Sequence, residues 1–291
     1  MRWLPPGSDA ADLLTRRPPE CLAEPRAPDE AYKVELGRAA FRAPLLLGGQ
    51  TARAGIACET CHQNGRSNPN FDFPGLSGAP GTADVTSSLM SSHRGDDIDN
   101  PRPIPDLGGP RAALKVSRGR ESRDLERFID GLITQEFDGR EPPPAVLDGL
   151  AAYVRALTPD ACAGKPSEAL RVEDAVADAR RAVRAAMAAL AAGDAPSAVV
   201  MIEAARSQLG LIAERYPAPR FAAARKSLGI ADLDLAAALA AVREKADGAS
   251  TRLSAWLGQS EAWAGPLRRD EAHSLYDPRT LARAAARRDN P

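Results

Sequence analysis

The chain is short of the residues that build large β-structures. Aromatic residues are 4% of its 291 positions, and Val, Ile and Thr are sparse beside Ala and Leu. That excludes a big sandwich or barrel, whose interior wants β-branched and aromatic side chains. A charge surplus is also missing: 38 Lys and Arg face 39 Asp and Glu, for a net charge of -1. A general nucleic-acid binder would need a basic excess. No apolar run approaches the roughly 18 residues of a membrane-spanning helix. What is present fits a globular chain, with 44% hydrophobic and 26% charged residues. The length suits about two domains.

Cysteine is scarce and informative. Two of the four, Cys21, Cys58, Cys61 and Cys162, fall in Cys58-Glu59-Thr60-Cys61-His62. This is a C-x-x-C-H run, the attachment signature of haem c. The spacing suits the chemistry. Two thiols on one helical turn can each form a thioether with a haem vinyl group, and the adjacent imidazole can reach the iron. Other chemistries fit less well. A thioredoxin-like redox pair needs a βαβ setting, whereas this region reads as loop and short helix. Structural zinc needs more ligands at compact spacing, and Cys21, Cys162 and His93 are scattered. The expectation is one covalent haem c, with Cys58 and Cys61 as anchors and His62 as proximal axial ligand. Such attachment implies an oxidising, periplasmic or otherwise extracytoplasmic compartment, although Met1–Pro6 hold no apolar leader. Cys21 and Cys162 bracket the haem region. A disulfide there would tie the ends of one domain together; two buried free thiols are the alternative.

Composition separates two halves behind an N-terminal arm. Residues 1–30, rich in Pro and charge, read as extended. A helix is predicted over 31–42, with Val34, Leu36 and Phe41 apolar and Pro44 beyond its end. Residues 63–110 then hold many Gly, Pro, Asn and Ser and no long periodic stretch. So long an irregular segment inside a compact domain is usually functional, and a cofactor could supply its core. Periodicity returns over Ser122–Gln135, with Leu125, Phe128, Ile129 and Leu132 on one face. It returns again after Pro142–Pro144, with Val146, Leu150, Tyr153 and Val154.

With these pieces in view, residues 31–158 resemble a haem domain of the bacterial di-haem cytochrome c peroxidase family, which includes MauG-like enzymes. The likeness is carried by Glu35-Leu36-Gly37-Arg38 with Phe41, by Cys58–His62, and by Pro103-Ile104-Pro105-Asp106-Leu107. Glu136-Phe137-Asp138-Gly139, followed by Pro142–Pro144 and the Leu150–Leu157 helix, resembles the end of such a domain. The resemblance implies a cytochrome c-like, all-α fold with long irregular loops. Family members carry two haem motifs, one haem taking an electron and the other reacting with peroxide. Here there is one motif and no Cys pair in the second half, so a second redox centre would come from a partner.

The second axial ligand is left open by the sequence. Besides His62 the chain has only His93 and His273. His93 precedes Pro103-Ile104-Pro105 by about the interval seen between the distal His and the Pro-containing segment in the family's peroxidatic domain. The resemblance therefore prefers it. Met90 is the rival, because a thioether raises haem potential and suits electron carriers. An open position is the third possibility. Arg66, Arg94, Arg102 and Arg111 are candidate partners for haem propionates. Phe71 and Phe73 are candidates to wall the ring. Asp84 and Asp106 are candidates to cap helices or orient a ligand.

From Ser167 the chain is Ala-rich and helical. Val172, Val176, Ala179, Val183, Met187 and Leu190 repeat at helical spacing. After the turn Gly193–Pro196 so do Ala198, Ile202, Ala205, Leu209 and Ile212. A short link between two such helices predicts an antiparallel hairpin. Further helices are expected near 219–228, 232–246, 249–263 and 278–287. Trp256 and Trp263 share a face that packs inward or, alternatively, forms a docking surface. His273 reads as a surface residue.

The sequence thus predicts an all-α chain in three parts: an arm over 1–30, a c-type haem domain over 31–163 and an antiparallel helical bundle over 165–291. The expected function is one-electron transfer by a single-haem c-type cytochrome, with the bundle docking a redox partner protein. The alternative is a haem-dependent peroxidase- or oxidase-like enzyme with an open distal site near His93.

Overall fold

The structure, a computed structural model, describes residues 3–25, 27–109, 114–217 and 219–286. It is mostly helical, with 58% of residues in helix and 4% in strand. No helix among the described residues is long and apolar enough to cross a membrane. The chain forms two compact units, Met1–Ser8 with Pro18–Glu168, and Asp9–Arg17 with Ala169–Pro291.

The segment expected as one extended arm is divided between them. Asp9 caps α1 (Ala10–Thr15), its carboxylate accepting from the Ala11 and Asp12 amides. The Thr15 carbonyl then accepts from Leu170 N, and the Leu14 carbonyl from Arg215 Nη2 at 2.7 Å, so α1 belongs to the second unit. Pro18–Glu24 instead runs along the first unit, where the Ala23 amide donates to the Ala156 carbonyl. Hydrogen bonds between groups distant in the chain explain both placements, and composition carries no trace of them.

In the first unit α2 (Pro28–Ala40) begins three residues earlier than the apolar pattern indicates. Pro28 occupies the first turn, where no amide is needed, and Asp29 and Glu30 face the helix dipole. The short helices α3 (Gly49–Arg53) and α4 (Cys58–Cys61) follow, then a long irregular stretch. Within that stretch Thr82 pairs with Pro103 and Ala83 with Arg102, antiparallel. Helix α5 (Asp124–Gly131) continues as a π-helical turn over Leu132–Glu136, and α6 (Pro144–Ala156) closes the unit. Helices α2 and α6 cross backbone to backbone. A Cβ on Gly37 would lie 1.9 Å from the Gly149 carbonyl oxygen, so only glycine allows this approach. A disulfide joins Cys21 to Cys162, with Cα atoms 5.1 Å apart, within the usual bridging range.

The second unit continues with α7 (Val172–Ala191) and α8 (Ala195–Arg215), packed along each other through buried alanines such as Ala179, Ala182, Ala186 and Ala205. The Asp194 carboxylate caps α8 through the Ser197 amide at 3.1 Å. A break expected near 229–231 is absent. Helix α9 (Ala222–Arg243) runs through Gly229, a conformational cost of about 1 kcal/mol that tertiary packing overrides. Conversely, the single helix expected over 249–263 is two, α10 (Ala249–Gly258) and α11 (Ser260–Asp270), and α12 (Pro278–Ala286) ends the described chain. Trp256 and Trp263 are buried, their rings 5.1 Å apart. Trp256 Nε1 donates to the Ala231 carbonyl. Their alternative reading as a docking surface falls, because both rings are core.

Candidate functional site

The Cys58–His62 run folds as one helical turn. The Ala57 amide donates to Thr60 Oγ1 at 3.0 Å, and the His62 amide closes the turn on the Cys58 carbonyl at 2.8 Å. Asn64 then adopts a left-handed φ of 51°, which asparagine tolerates better than most residues. It anchors the exit: its side chain donates to the Pro18 carbonyl at 2.8 Å and accepts from Arg42 Nη2 at 2.7 Å. This geometry places Cys58, Cys61 and His62 together on the wall of a cavity of about 370 Å³. Such a volume lies in the range of small-molecule and cofactor sites. The remaining wall is almost wholly apolar, with Phe41, Phe128, Phe137, Ile133, Leu150 and Val154 among its members.

His62 is oriented from outside the cavity. Its Nδ1 lies 3.0 Å from the Pro105 carbonyl oxygen. A carbonyl only accepts, so Nδ1 carries the proton and Nε2 keeps its lone pair. Burial lowers the His62 pKa to about 4, outweighing the opposing pull of the Pro105 hydrogen bond and the Asp106 charge. The ring is therefore neutral at neutral pH. A neutral imidazole with one nitrogen pinned and the other bare is the usual state of a metal-ligating histidine. The segment that supplies Pro105 is itself held to the motif. Leu107 N donates to the Gly65 carbonyl, and Arg66 pairs with Asp106, whose other oxygen accepts from Gly108 N.

Neither Cys58 nor Cys61 is in a disulfide. Burial pushes both thiols up to about 12, so they are protonated at neutral pH. All three motif side chains retain intermediate exposure because they face the cavity, yet the surrounding protein still strips solvent from them.

The other sequence candidates are distributed differently. His93 does not line the cavity. Its side chain is 55% exposed, with Nε2 3.8 Å from an Asp138 oxygen. Met90 is buried but also off the cavity, its sulfur accepting from Thr51 Oγ1 at 3.4 Å. The 87–94 turn is pinned elsewhere: Ser91 Oγ donates to the Gln135 carbonyl, and the Ser92 amide donates to the Asp138 carboxylate. So the structure does not bring His93 or Met90 to His62. Arg66 is committed to Asp106, Arg94 lies 3.7 Å from Glu136, Arg102 lines the cavity, and Arg111 is outside the described residues. Phe71 is buried and Phe73 packs on Trp3, neither of them on the cavity wall. Asp84 binds Thr86 and the Asn100 amide within its own loop. Neither Asp84 nor Asp106 hydrogen-bonds the His62 ring; the Pro105 carbonyl does. His273 ends a 3₁₀ turn, Glu271–His273, in the second unit.

Among the described residues no three His, Cys, Asp or Glu converge to hold a metal ion. No family model, curated protein or solved structure matches the chain.

Proposed function

We propose that the first unit is a single-haem c-type cytochrome domain and that the protein carries one electron to or from a redox partner protein. The observation that carries this reading is the wall of the apolar cavity: Cys58, Cys61 and His62 side by side, with the imidazole held by Pro105. Bound there, a haem would supply a one-electron Fe(III)/Fe(II) couple.

The residues fit that group on several counts. Two protonated thiols on one turn suit two thioethers, since each S–H adds across a vinyl double bond without an oxidant. His62 would offer Nε2 to the iron, and the Pro105 carbonyl holds the other ring nitrogen. The apolar wall excludes water from a planar aromatic guest. A bare zinc ion would ask for three or four converging protein donors; a porphyrin brings four nitrogens and asks this chain for one. In this reading the domain has a cytochrome c-like fold akin to the di-haem peroxidase family. The second unit is then an antiparallel helical bundle that docks the partner, and the protein works in the periplasm or another extracytoplasmic compartment.

The test is mass spectrometry of protein secreted from a host with haem c maturation. The peptide holding Cys58 and Cys61 should carry the covalent haem. An unmodified peptide ends the proposal.

One observation favours a second reading, a peroxidase- or oxidase-like enzyme. His93 and Met90 both stand off the cavity, which leaves its described wall with no thioether and no imidazole besides His62. A high-spin ferric spectrum that responds to peroxide or cyanide supports the enzyme; a low-spin spectrum indifferent to both supports the carrier.

A further inference from the structure

The cavity has one polar exception to its apolar wall besides the attachment motif, and it is entirely cationic. Arg102, Lys115 and Arg118 line it, with no acid, amide or hydroxyl side chain among the described lining residues. Arg118 is already engaged. Its Nη1 donates to the Leu157 carbonyl at 2.7 Å and its Nη2 to the Gly109 carbonyl at 3.4 Å. Arg102 and Lys115 make no side-chain hydrogen bond or ion pair with a described residue. Both are exposed, so each touches the cavity and the solvent at once. The Arg102 charge helps to lower the Asp84 pKa and the Lys115 charge opposes the burial that raises that of Glu136, in neither case through an ion pair.

The backbone gives this pair a fixed place. Arg102 sits in the short ladder opposite Ala83, three residues before the carbonyl that holds His62. Lys115 belongs to the same stretch as Arg118, which is tied to the end of α6.

We infer that Arg102 and Lys115 form the carboxylate-binding mouth of this cavity, taking the two anionic side chains of an otherwise apolar planar ligand. The inference rests on the haem reading, in which those anions are the propionates. A carboxylate cannot enter an apolar cavity unpaired without a large desolvation cost. Two uncommitted cations at the water-facing rim relieve that cost through charge-assisted hydrogen bonds, and arginine can make two at once. The ligand is thereby oriented, its apolar edge against Leu150 and Ile133 and its carboxylates outward.

The experiment uses the secreted holoprotein and the variants R102Q, K115Q, R102K and the double R102Q/K115Q. R94Q serves as the control, since Arg94 is exposed and off the cavity. Redox-difference infrared spectra with carbon-13 in the propionate carboxyls report the contact directly. The labelled bands should move in R102Q and K115Q, stay in place in R102K and be unmoved in R94Q. Loss of a nearby cation also disfavours the added electron. The reduction equilibrium should fall about fivefold in R102Q, or about 40 mV at 59 mV per tenfold for one electron. It should fall further in the double variant and shrink at high salt. Unmoved propionate bands in both single variants overturn this inference while leaving the haem reading intact. So does a change of spin state in K115Q, which would make Lys115 an iron ligand. A Cys58/Cys61 peptide without haem takes down both.

Discussion

The two units treat apolar surface in opposite ways. In the Ala169–Pro291 unit, long helices present small residues to one another. Ala179, Ala186, Ala205 and Ala238 are fully buried, and larger residues such as Met201, Ile202 and Leu235 fill the space between. In the Pro18–Glu168 unit, α5 and α6 pack on one another through Leu125, Ala151 and Val154, but their apolar faces and the π-helical turn also line a cavity, with Phe128, Ile133 and Leu150 on its wall. The long irregular stretch of this unit contributes Ala83, Val85, Ile104 and Leu107 to that wall. The second unit completes its helices from its own side chains.

The strongest way to break the comparison is to remove the two cavity-lining thiols. On the haem reading, C58S/C61S should abolish covalent haem altogether. Amide hydrogen exchange should then quicken over Leu125–Ile133 and Leu150–Val154 while α7 and α8 keep their protection. Equal loss of protection in both regions would contradict a guest-dependent core confined to the first unit.

A second break targets charge. In the first unit Glu20 is nearly buried and receives Arg38, Arg42 Nη2 at 3.1 Å and the Tyr153 hydroxyl at 2.8 Å. Burial by itself would raise its pKa, but the Arg42 and Arg38 charges and the hydrogen bonds from Arg38 and Tyr153 bring it from 4.5 down to about 2. The folded pKa is depressed, so the stabilisation is complete above pH 4.5 and is lost as pH falls toward 2. It amounts to about 3 kcal/mol. E20A should cost about 3–5 kcal/mol at neutral pH by denaturant unfolding, because the buried Arg42 and the half-buried Arg38 both lose a carboxylate they share. E20Q should flatten the acid limb of stability; an unchanged limb would show that Glu20 is not its source.

The comparison sharpens with one substitution made in both units. G37A drives a methyl group into the Gly149 carbonyl and should destabilise by about 1–3 kcal/mol. G210A, in the middle of α8, meets nothing within 4 Å and should stabilise by up to about 1 kcal/mol through helix propensity. Thermal or denaturant melts of the two variants should shift in opposite directions; shifts of the same sign would mean the α2–α6 crossing is looser than its geometry.

Much of this was legible before the fold was. The spacing of Cys58, Cys61 and His62 is a local property, because one helical turn decides which side chains share a face. The apolar faces around Leu125, Phe128 and Ile129, and around Leu150 and Val154, were readable for the same reason. That those faces line a cavity was not, since periodicity reports that a face is buried and not what it is buried against. Arg102 stood among four arginine candidates of equal standing, and Lys115 carried no signal at all.

Composition and spacing by themselves determined a mostly helical chain whose halves differ in character behind an N-terminal arm, with a Cys-x-x-Cys-His turn ahead of a long irregular stretch. Tertiary structure alone decided which partners that motif meets. It put the Pro105 carbonyl on His62, kept His93 and Met90 away through the Ser91 and Ser92 bonds to 135–138, and sent Asp9–Arg17 into the second unit. The physical reason is common to all three. These contacts are made by hydrogen-bonding groups far apart in the chain, backbone carbonyls prominent among them. A carbonyl is the same in every residue, so its place in space leaves no mark on the order of side chains.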